Sequence, residues 1–346
     1  MRREVVWIRK LKVAAFGAGY WACLQIPSWQ AAGAEVTAIW NRTYEKAVAA
    51  AERFGIKHAY KTPDELFENA DFDVADVITS PDSHFPLVMA AARHKKPVIC
   101  QKPMASTYEE SLKMIEACRD AGVWFAVHEN FRFRACWQLM HEIVESGVLG
   151  TVKRAEITLC SAGAEGLKWE PSLAAMDHMA LRDMGPHAFD LARLLFGEAE
   201  SLYCRQLSSH SDNSVMDTAV TYLQMKGGAH VTCEICTDKA AGAFISGTDG
   251  ILSFGADHYV KVTTAAGEKF YERPALVRPG YIREENWQNH GGEGIMSIRT
   301  CNESLMNAYL RGEAAQTSGE YTLKTMEMVF KAIKSADENI VCDLSL

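Results

Sequence analysis

Along the first 128 residues, short apolar runs alternate with segments of helical period. Leu11–Phe16 reads as a strand, and Gly17-Ala18-Gly19 breaks it before a helix over Tyr20–Ala32. The alternation then repeats. Val36–Trp40 is a strand and Tyr44–Phe54 a helix, and Thr62 caps a short helix with Pro63 at its first position. Val74–Ile78 is a strand, Phe85–Arg93 a helix, Pro97–Cys100 a strand, Ser106–Ala121 a helix and Val123–Val127 a strand. Such strand–helix alternation predicts βαβ units on a doubly wound parallel sheet.

The pattern changes near residue 129. A helix over Phe133–Ser146 and a long alternating strand, Val152–Leu159, precede a helix over Met184–Phe196. Alternating runs then follow one another between turn residues: Thr218–Met225, His230–Cys236, Ile251–Phe254 and Val260–Thr264. That sequence of strands predicts an open, mainly antiparallel sheet with one covered face. An amphipathic helix, Thr322–Asn339, and a short strand, Val341–Leu344, end the chain. The expected division is a dinucleotide-type α/β domain over 1–128 and an α+β domain over 129–346, with the last helix packing back on the first domain.

Composition narrows the function classes. The chain has 346 residues, more than one core of ~250–300 residues ordinarily holds. Its 48% hydrophobic content excludes disorder as the main state. The net charge of −8 and the scattered Lys and Arg argue against a nucleic-acid or membrane-surface role. No apolar run approaches ~20 residues, and the first residues lack a signal-peptide core, so the expected location is the cytoplasm. The ten cysteines fit a reducing compartment. The Cys233-x-x-Cys236 spacing lies in an alternating strand that would point the two sulfurs to opposite faces, a poor metal or redox pair.

The first candidate chemistry is Gly17-Ala18-Gly19-Tyr20-Trp21-Ala22, a G-x-G-x-x-A run between strand and helix. In that context the glycines allow a tight turn and close approach of a pyrophosphate, with the helix N-terminus behind it. About 20 residues on, where an acidic residue commonly binds the ribose 2′-hydroxyl, stand Asn41 and Arg42. Arg42 suits a 2′-phosphate and Asn41 a 2′-hydroxyl, so NAD and NADP both stay open.

An ordered series of motifs then carries a resemblance. Beyond the glycine turn come Ser80-Pro81-Asp82-Ser83-His84, Gln101-Lys102-Pro103, Glu129-Asn130-Phe131-Arg132-Phe133, Gly147-Val148-Leu149-Gly150, Asp183-Met184-Gly185-Pro186-His187-Ala188-Phe189-Asp190 and Ser318-Gly319-Glu320. In this order the chain resembles the Gfo/Idh/MocA family of glucose–fructose oxidoreductase and inositol dehydrogenase. The resemblance implies a Rossmann domain followed by an α/β domain whose open sheet commonly mediates dimers or tetramers. It further implies hydride transfer between NAD(P) and a hydroxyl of a sugar, glycoside or cyclitol. Ser80, Pro81, His84, Gln101 and Asn130 join the cofactor candidates by the same likeness. The family's Glu-Lys-Pro stands here as Gln101-Lys102-Pro103, with Gln in place of Glu.

Oxidising a secondary alcohol needs a base, a group that steadies the developing alkoxide, and a hydride acceptor. His187 is the candidate base and Asp183, four residues earlier, its orienting carboxylate. Lys102, after a strand of the parallel sheet, is the candidate oxygen binder. Asp183 also fits a helix N-cap, and His187 a core histidine. Asn130, Arg132 and Trp169 are candidates for lining the substrate site, with packing as the other reading. Trp137, Trp169, Tyr281 and Trp287 could stack on a sugar, although scattered aromatics usually belong to cores. Asp177, His178, Asp183, His187 and Asp190 crowd together in sequence, but only the last three of them share a helical face and match the redox motif, so no metal is expected. Two further functions compete with a dehydrogenase. One is an enzyme that keeps its NAD and cleaves or isomerises a glycoside by transient oxidation; the other is a non-catalytic sensor.

Overall fold

The computed structural model describes residues 10–161, 173, 175–208, 215–237, 241–255, 259–271 and 292–344. The chain divides into two compact units. One lies within Met1–Asn130 and Arg278–Tyr321, the other within Phe131–Val277 and Thr322–Leu346.

The first unit opens with six parallel strands: β1 (Lys12–Phe16), β2 (Glu35–Trp40), β3 (His58–Tyr60), β4 (Val74–Val77), β5 (Val98–Gln101) and β6 (Phe125–His128). Their order is β3-β2-β1-β4-β5-β6, so the winding reverses between β1 and β4. Ligands of such sheets bind at the carboxyl ends of the strands beside that reversal. β4, β5 and β6 are buried throughout, which is why they read as unbroken apolar runs rather than alternating ones. The crossover helices are α1 (Ala22–Ala31), α2 (Tyr44–Phe54), α3 (Pro63–Asn69), α4 (His84–Arg93) and α5 (Tyr108–Ala121). Thr62 caps α3 as expected, accepting from Glu65 N–H. The cap of α5 is Thr107 rather than Ser106, because Thr107 and Glu110 form a reciprocal capping box.

The second unit carries α6 (Ala135–Glu145), β7 (Val152–Cys160), a π-helical turn (Ala180–Met184) that runs into α7 (Gly185–Phe196), and a meander. The meander comprises β8 (Ala199–Leu207), β9 (Thr218–Met225), β10 (His230–Cys236), β11 (Gly242–Gly247), β12 (Gly250–Phe254), β13 (Val260–Thr264) and β14 (Gly267–Tyr271). Its nine-stranded sheet has the order β14-β13-β12-β11-β7-β10-β9-β8-β15, with β15 being Cys342–Asp343. Every pairing is antiparallel except β7 with β10.

The register of this sheet sorts its two faces. Inward positions such as Ile157, Val231, Leu223, Ile245 and Leu252 join one apolar core with Phe189 and Leu191 of α7. On the other face the partners run Tyr203–Tyr222–Thr232–Glu156–Phe244–Ser253–Lys261–Phe270 from strand to strand. Val220, Tyr222, Ile251 and Phe270 are exposed there among charged neighbours.

Two helices close the chain, α8 (Gly292–Arg311) and α9 (Gly319–Glu338). α8 was not expected, and it belongs to the first unit, so residues 129–346 do not form one unbroken domain. The reason is packing: Ile298 of α8 is buried against Leu24 of α1, with Trp21 alongside. Between the helices, Thr317 and Ser318 pair with the outer edge of β6. Val127 N–H donates to Thr317 O at 2.8 Å, Thr317 Oγ1 donates to Val127 O at 2.7 Å, and Ala126 and Ser318 form an antiparallel bridge.

Candidate active site

In the first unit the glycine turn sits where β1 ends. Gly17 has φ +126°, and a Cβ there would lie 2.6 Å from Ile78 O, so no other residue fits. Its N–H donates to Trp40 O at 2.7 Å. Gly19 and Tyr20 are exposed, and a Cβ on Gly19 would meet nothing within 4 Å. No side chain caps α1 and its first turn holds no carboxylate, so the positive end of its dipole stands uncompensated behind the turn.

Asn41 serves this turn directly. Its Oδ1 accepts from Ala18 N–H at 3.0 Å, and its Nδ2 donates to Thr43 O at 3.0 Å. Arg42 beside it is exposed. Among the described residues, three polar atoms of the first unit are buried with no hydrogen-bond partner: Trp21 Nε1 in the turn, Thr79 Oγ1 after β4 and Asn130 Oδ1 after β6. Each follows the carboxyl end of a strand. Orphaned polar atoms grouped at this edge, beside the glycine cradle, fit a polar ligand the size of a dinucleotide.

His84 is not laid open on this edge. It is fully buried, with Nδ1 2.9 Å from Pro103 O and Nε2 3.0 Å from Thr79 O, so it braces the loops after β4 and β5. Burial pushes its pKa down, against the two carbonyls, which favour the cation. Ser80 and Pro81 remain at the surface of the same loop.

Gln101, where the resemblance leads one to expect Glu, points into the interior at 4% exposure. It belongs to a run of buried side chains. Trp29 Nε1 donates to Asp76 Oδ2 at 2.6 Å, and Gln25 Nε2 donates to both Asp76 oxygens at 2.9 Å. Gln101 Nε2 donates to Gln25 Oε1 at 2.7 Å and lies 3.2 Å from His128 Nδ1. His128 Nε2 lies 2.9 Å from Asn302 Oδ1 on α8. Gln101 Oε1 accepts the Lys102 backbone N–H at 2.9 Å. Burial raises the Asp76 pKa to about 7 against the Trp29 and Gln25 donors, and lowers that of His128 to about 4. Lys102 itself is half-buried at the end of β5. Asn130 is buried too, its Nδ2 donating to Ser297 Oγ at 2.8 Å.

In the second unit His187 lies in the first turn of α7, 2% exposed. Its ring stacks on Phe131 with centroids 3.7 Å apart and planes 8° apart. The Arg134 guanidinium stands 3.4 Å from the same Phe131 ring. Asp183 is half-buried and falls in the π-helical turn that leads into α7. Arg132 and Asp190 form a buried pair at 3.2 Å. Trp137 is a core residue, 1% exposed. Trp169, Tyr281 and Trp287 lie outside the described residues. Among the described residues no three His, Cys, Asp or Glu side chains gather to hold a metal ion.

Sequence reasoning missed Asp76, Gln25, His128 and Asn302, and it passed over Phe131, which stacks on His187, and Arg134, which lies over Phe131. Asp76 alone left a signal, as an acidic residue inside the apolar run Val74-Ala75-Asp76-Val77.

The sequence profile of an oxidoreductase family with an NAD-binding Rossmann fold matches residues 11–129, and that of the GFO/IDH/MocA C-terminal domain matches residues 137–253. The chain belongs to the GFO/IDH/MocA family. Within this family it is similar to D-apiose dehydrogenase of Rhizobium rhizogenes, 28% identical over 97% of this chain and 98% of that protein. It is also 31% identical to myo-inositol 2-dehydrogenase of Thermotoga maritima, over 51% of this chain and 54% of that protein. Its fold matches an Agrobacterium radiobacter oxidoreductase in complex with NAD+, L-tartaric acid and magnesium, with TM-score 0.89, 26% identity, and 97% of this chain and 99% of that one covered. Levoglucosan dehydrogenase in complex with NADH and levoglucosan shares the fold at TM-score 0.84 and 20% identity, over 97% of this chain and all of that one. Residues 11–129 thus form the family's NAD-binding Rossmann domain, and the cofactor is NAD(P). No helix among the described residues is long and apolar enough to cross a membrane.

Proposed function

We propose that this protein is an NAD(P)-dependent dehydrogenase that transfers hydride between the nicotinamide and a secondary hydroxyl of a sugar, glycoside or cyclitol. The observation that carries the reading is Lys102, held by its own backbone at the carboxyl end of β5, in the unit that bears the dinucleotide turn. The full-length likeness to a D-apiose dehydrogenase supports the substrate class. Bound NAD(P) supplies the hydride acceptor. The Lys102 ammonium holds the substrate oxygen and steadies the negative charge that grows on it. His187 takes the hydroxyl proton on an imidazole whose ring plane Phe131 fixes, and Asp183 orients it. Asn130 and Arg132 line the substrate side, and Trp169 does the same in this reading.

Arg42 is exposed and the end of β2 carries no acidic residue, which supports use of NADP as well as NAD. The exposed Val220, Tyr222, Ile251 and Phe270 on the outer face of the nine-stranded sheet support a homo-oligomer, read by light scattering. Ten cysteines spread along the chain, most of them buried, support a reducing, cytoplasmic setting.

The test is a panel of D-apiose, D-xylose, myo-inositol and levoglucosan with each cofactor, followed by absorbance of the reduced nicotinamide. Lys102→Ala and His187→Ala are expected to lower kcat by about 100-fold or more, with cofactor affinity within about 3-fold of wild type. Full activity in either variant would sink the assignment. Cofactor released only on denaturation, with polyol turnover that needs no added NAD(P), would favour the closed cycle instead.

A further inference from the structure

The buried side chains behind Lys102 have a fixed donor–acceptor order. Trp29 Nε1–H can only donate, so Asp76 accepts there, and Asp76 takes both bonds from the Gln25 NH2 group. Gln25 therefore turns its Oε1 toward Gln101, which must answer with its own NH2 group. The same NH2 group faces His128 Nδ1, whose ring then carries its proton on Nε2, toward Asn302 Oδ1. Only Oε1 of Gln101 is left for Lys102 N–H, another group that can only donate. Both ends of the run thus demand the same orientation of every amide between them. A carboxylate at position 101 could still accept from Lys102 N–H, but its second oxygen would face two acceptors, Gln25 Oε1 and His128 Nδ1, at 2.7 and 3.2 Å.

We propose that Gln101 is a positioning residue for Lys102, set by a buried relay from Asp76 through Gln25, with His128 and Asn302 holding its other side. The relay makes the amide, rather than the carboxylate that the resemblance leads one to expect, the side chain this interior requires. The proposal rests on Lys102 serving the reaction as described above. It also makes a specific claim about coupling. Asp76 and Gln101 do not touch, yet a change at one must be answered at the other, because Gln25 can turn its amide only as a whole. With Glu at 101, Gln25 must present NH2 to it and Oε1 to position 76. Above about pH 7, where Asp76 is ionised, its carboxylate repels that oxygen, whereas the amide of Asn donates to it.

The test compares wild type, Gln101→Glu, Asp76→Asn and the double variant at pH 8, where Asp76 is ionised, by two readouts. One is amide exchange at Lys102. The other is kcat on whichever panel polyol turns over fastest. Gln101→Glu is expected to speed Lys102 exchange and to lower kcat, each by about 10-fold or more, with the KM for cofactor within about 3-fold. Adding Asp76→Asn is expected to recover both to within about 3-fold of wild type. Wild-type values in Gln101→Glu, or a double variant no better than Gln101→Glu, overturn the relay. Gln101→Met, similar in length and uncharged, removes the bond to Lys102 N–H without burying a charge. It is expected to speed exchange likewise, and wild-type exchange and kcat there also overturn the proposal. If Lys102→Ala keeps full activity while exchange responds as expected, the catalytic reading falls and the relay stands. If Lys102→Ala is inactive while exchange and kcat ignore position 101, only the relay falls.

Discussion

Replacing Asp76 by Asn should change how the stability of this protein depends on pH more than it changes stability at any one pH. The Asp76 carboxyl is fully buried between Trp29 and Gln25, among the described residues no cation pairs with it, and its pKa rises to about 7 from the ordinary 3.8. Between those two values the folded protein holds a proton that the unfolded chain has released. Stability therefore falls as pH rises through this window. From pH 5 up to a pKa of about 7 lie two units, worth about 3 kcal/mol at about 1.4 kcal/mol each. His128 opposes it. With its pKa lowered to about 4, the folded protein lacks a proton that the unfolded chain binds up to about 6.5, so its contribution rises with pH over the same range. The two partly cancel in the wild type. Asp76→Asn removes the falling member only. Urea unfolding of both proteins at pH 5 and pH 8 should show the variant gaining about 3 kcal/mol relative to wild type on going from the lower pH to the higher. A change in that difference of less than about 1 kcal/mol would refute the argument, because the carboxyl would then titrate as an ordinary surface acid.

Gly17→Ala would place a Cβ 2.6 Å from Ile78 O at φ +126°, so the turn should open and NAD(P) affinity should fall at least about 100-fold by fluorescence titration. Asp190→Ala takes the carboxylate from Arg132, both at most 4% exposed, and should cost about 3–5 kcal/mol of unfolding free energy in urea. Phe131→Leu removes the ring stacked on His187 at 3.7 Å; kcat should fall about 10-fold while cofactor affinity, measured separately, stays unchanged.

The parallel sheet was legible because β4, β5 and β6 lie buried on both faces, which writes them as continuous apolar runs between helical segments. The outer sheet was legible for the opposite reason, since β9 alternates buried and exposed positions along Thr221, Tyr222, Leu223 and Gln224. Helix α8 was not. Its segment opens on Gly292 and Gly294, and two of its inward positions are polar, Ser297 and Asn302, so the apolar stripe is broken where it matters. The phosphate turn was legible because a backbone constraint, the positive φ of Gly17, forces the residue type. The support of Lys102 was not, because Asp76, Gln25 and His128 come from three elements and only the sheet order brings them together. Buried polar partners of this kind carry no periodicity. His84 shows the same limit: the motif marks its position, but only the fold reveals that both ring nitrogens hold backbone carbonyls.

The strip of chain at Thr317 and Ser318 that seals the outer edge of β6 has a consequence for how the protein is made. β6 ends the parallel sheet, and until that strip arrives its outer N–H and C=O groups are a template for any passing strand. Nearly two hundred residues separate Val127 from Thr317, so a ribosome must pass through the Phe131–Val277 part of the second unit before the first can close. At roughly 5–20 residues per second the open edge persists for about ten seconds or more. A fragment ending near Asn130 would never close it, and would be expected to aggregate rather than fold alone. For expression work this means that the Rossmann half should be produced with residues 292–321 joined to it, or not separated at all.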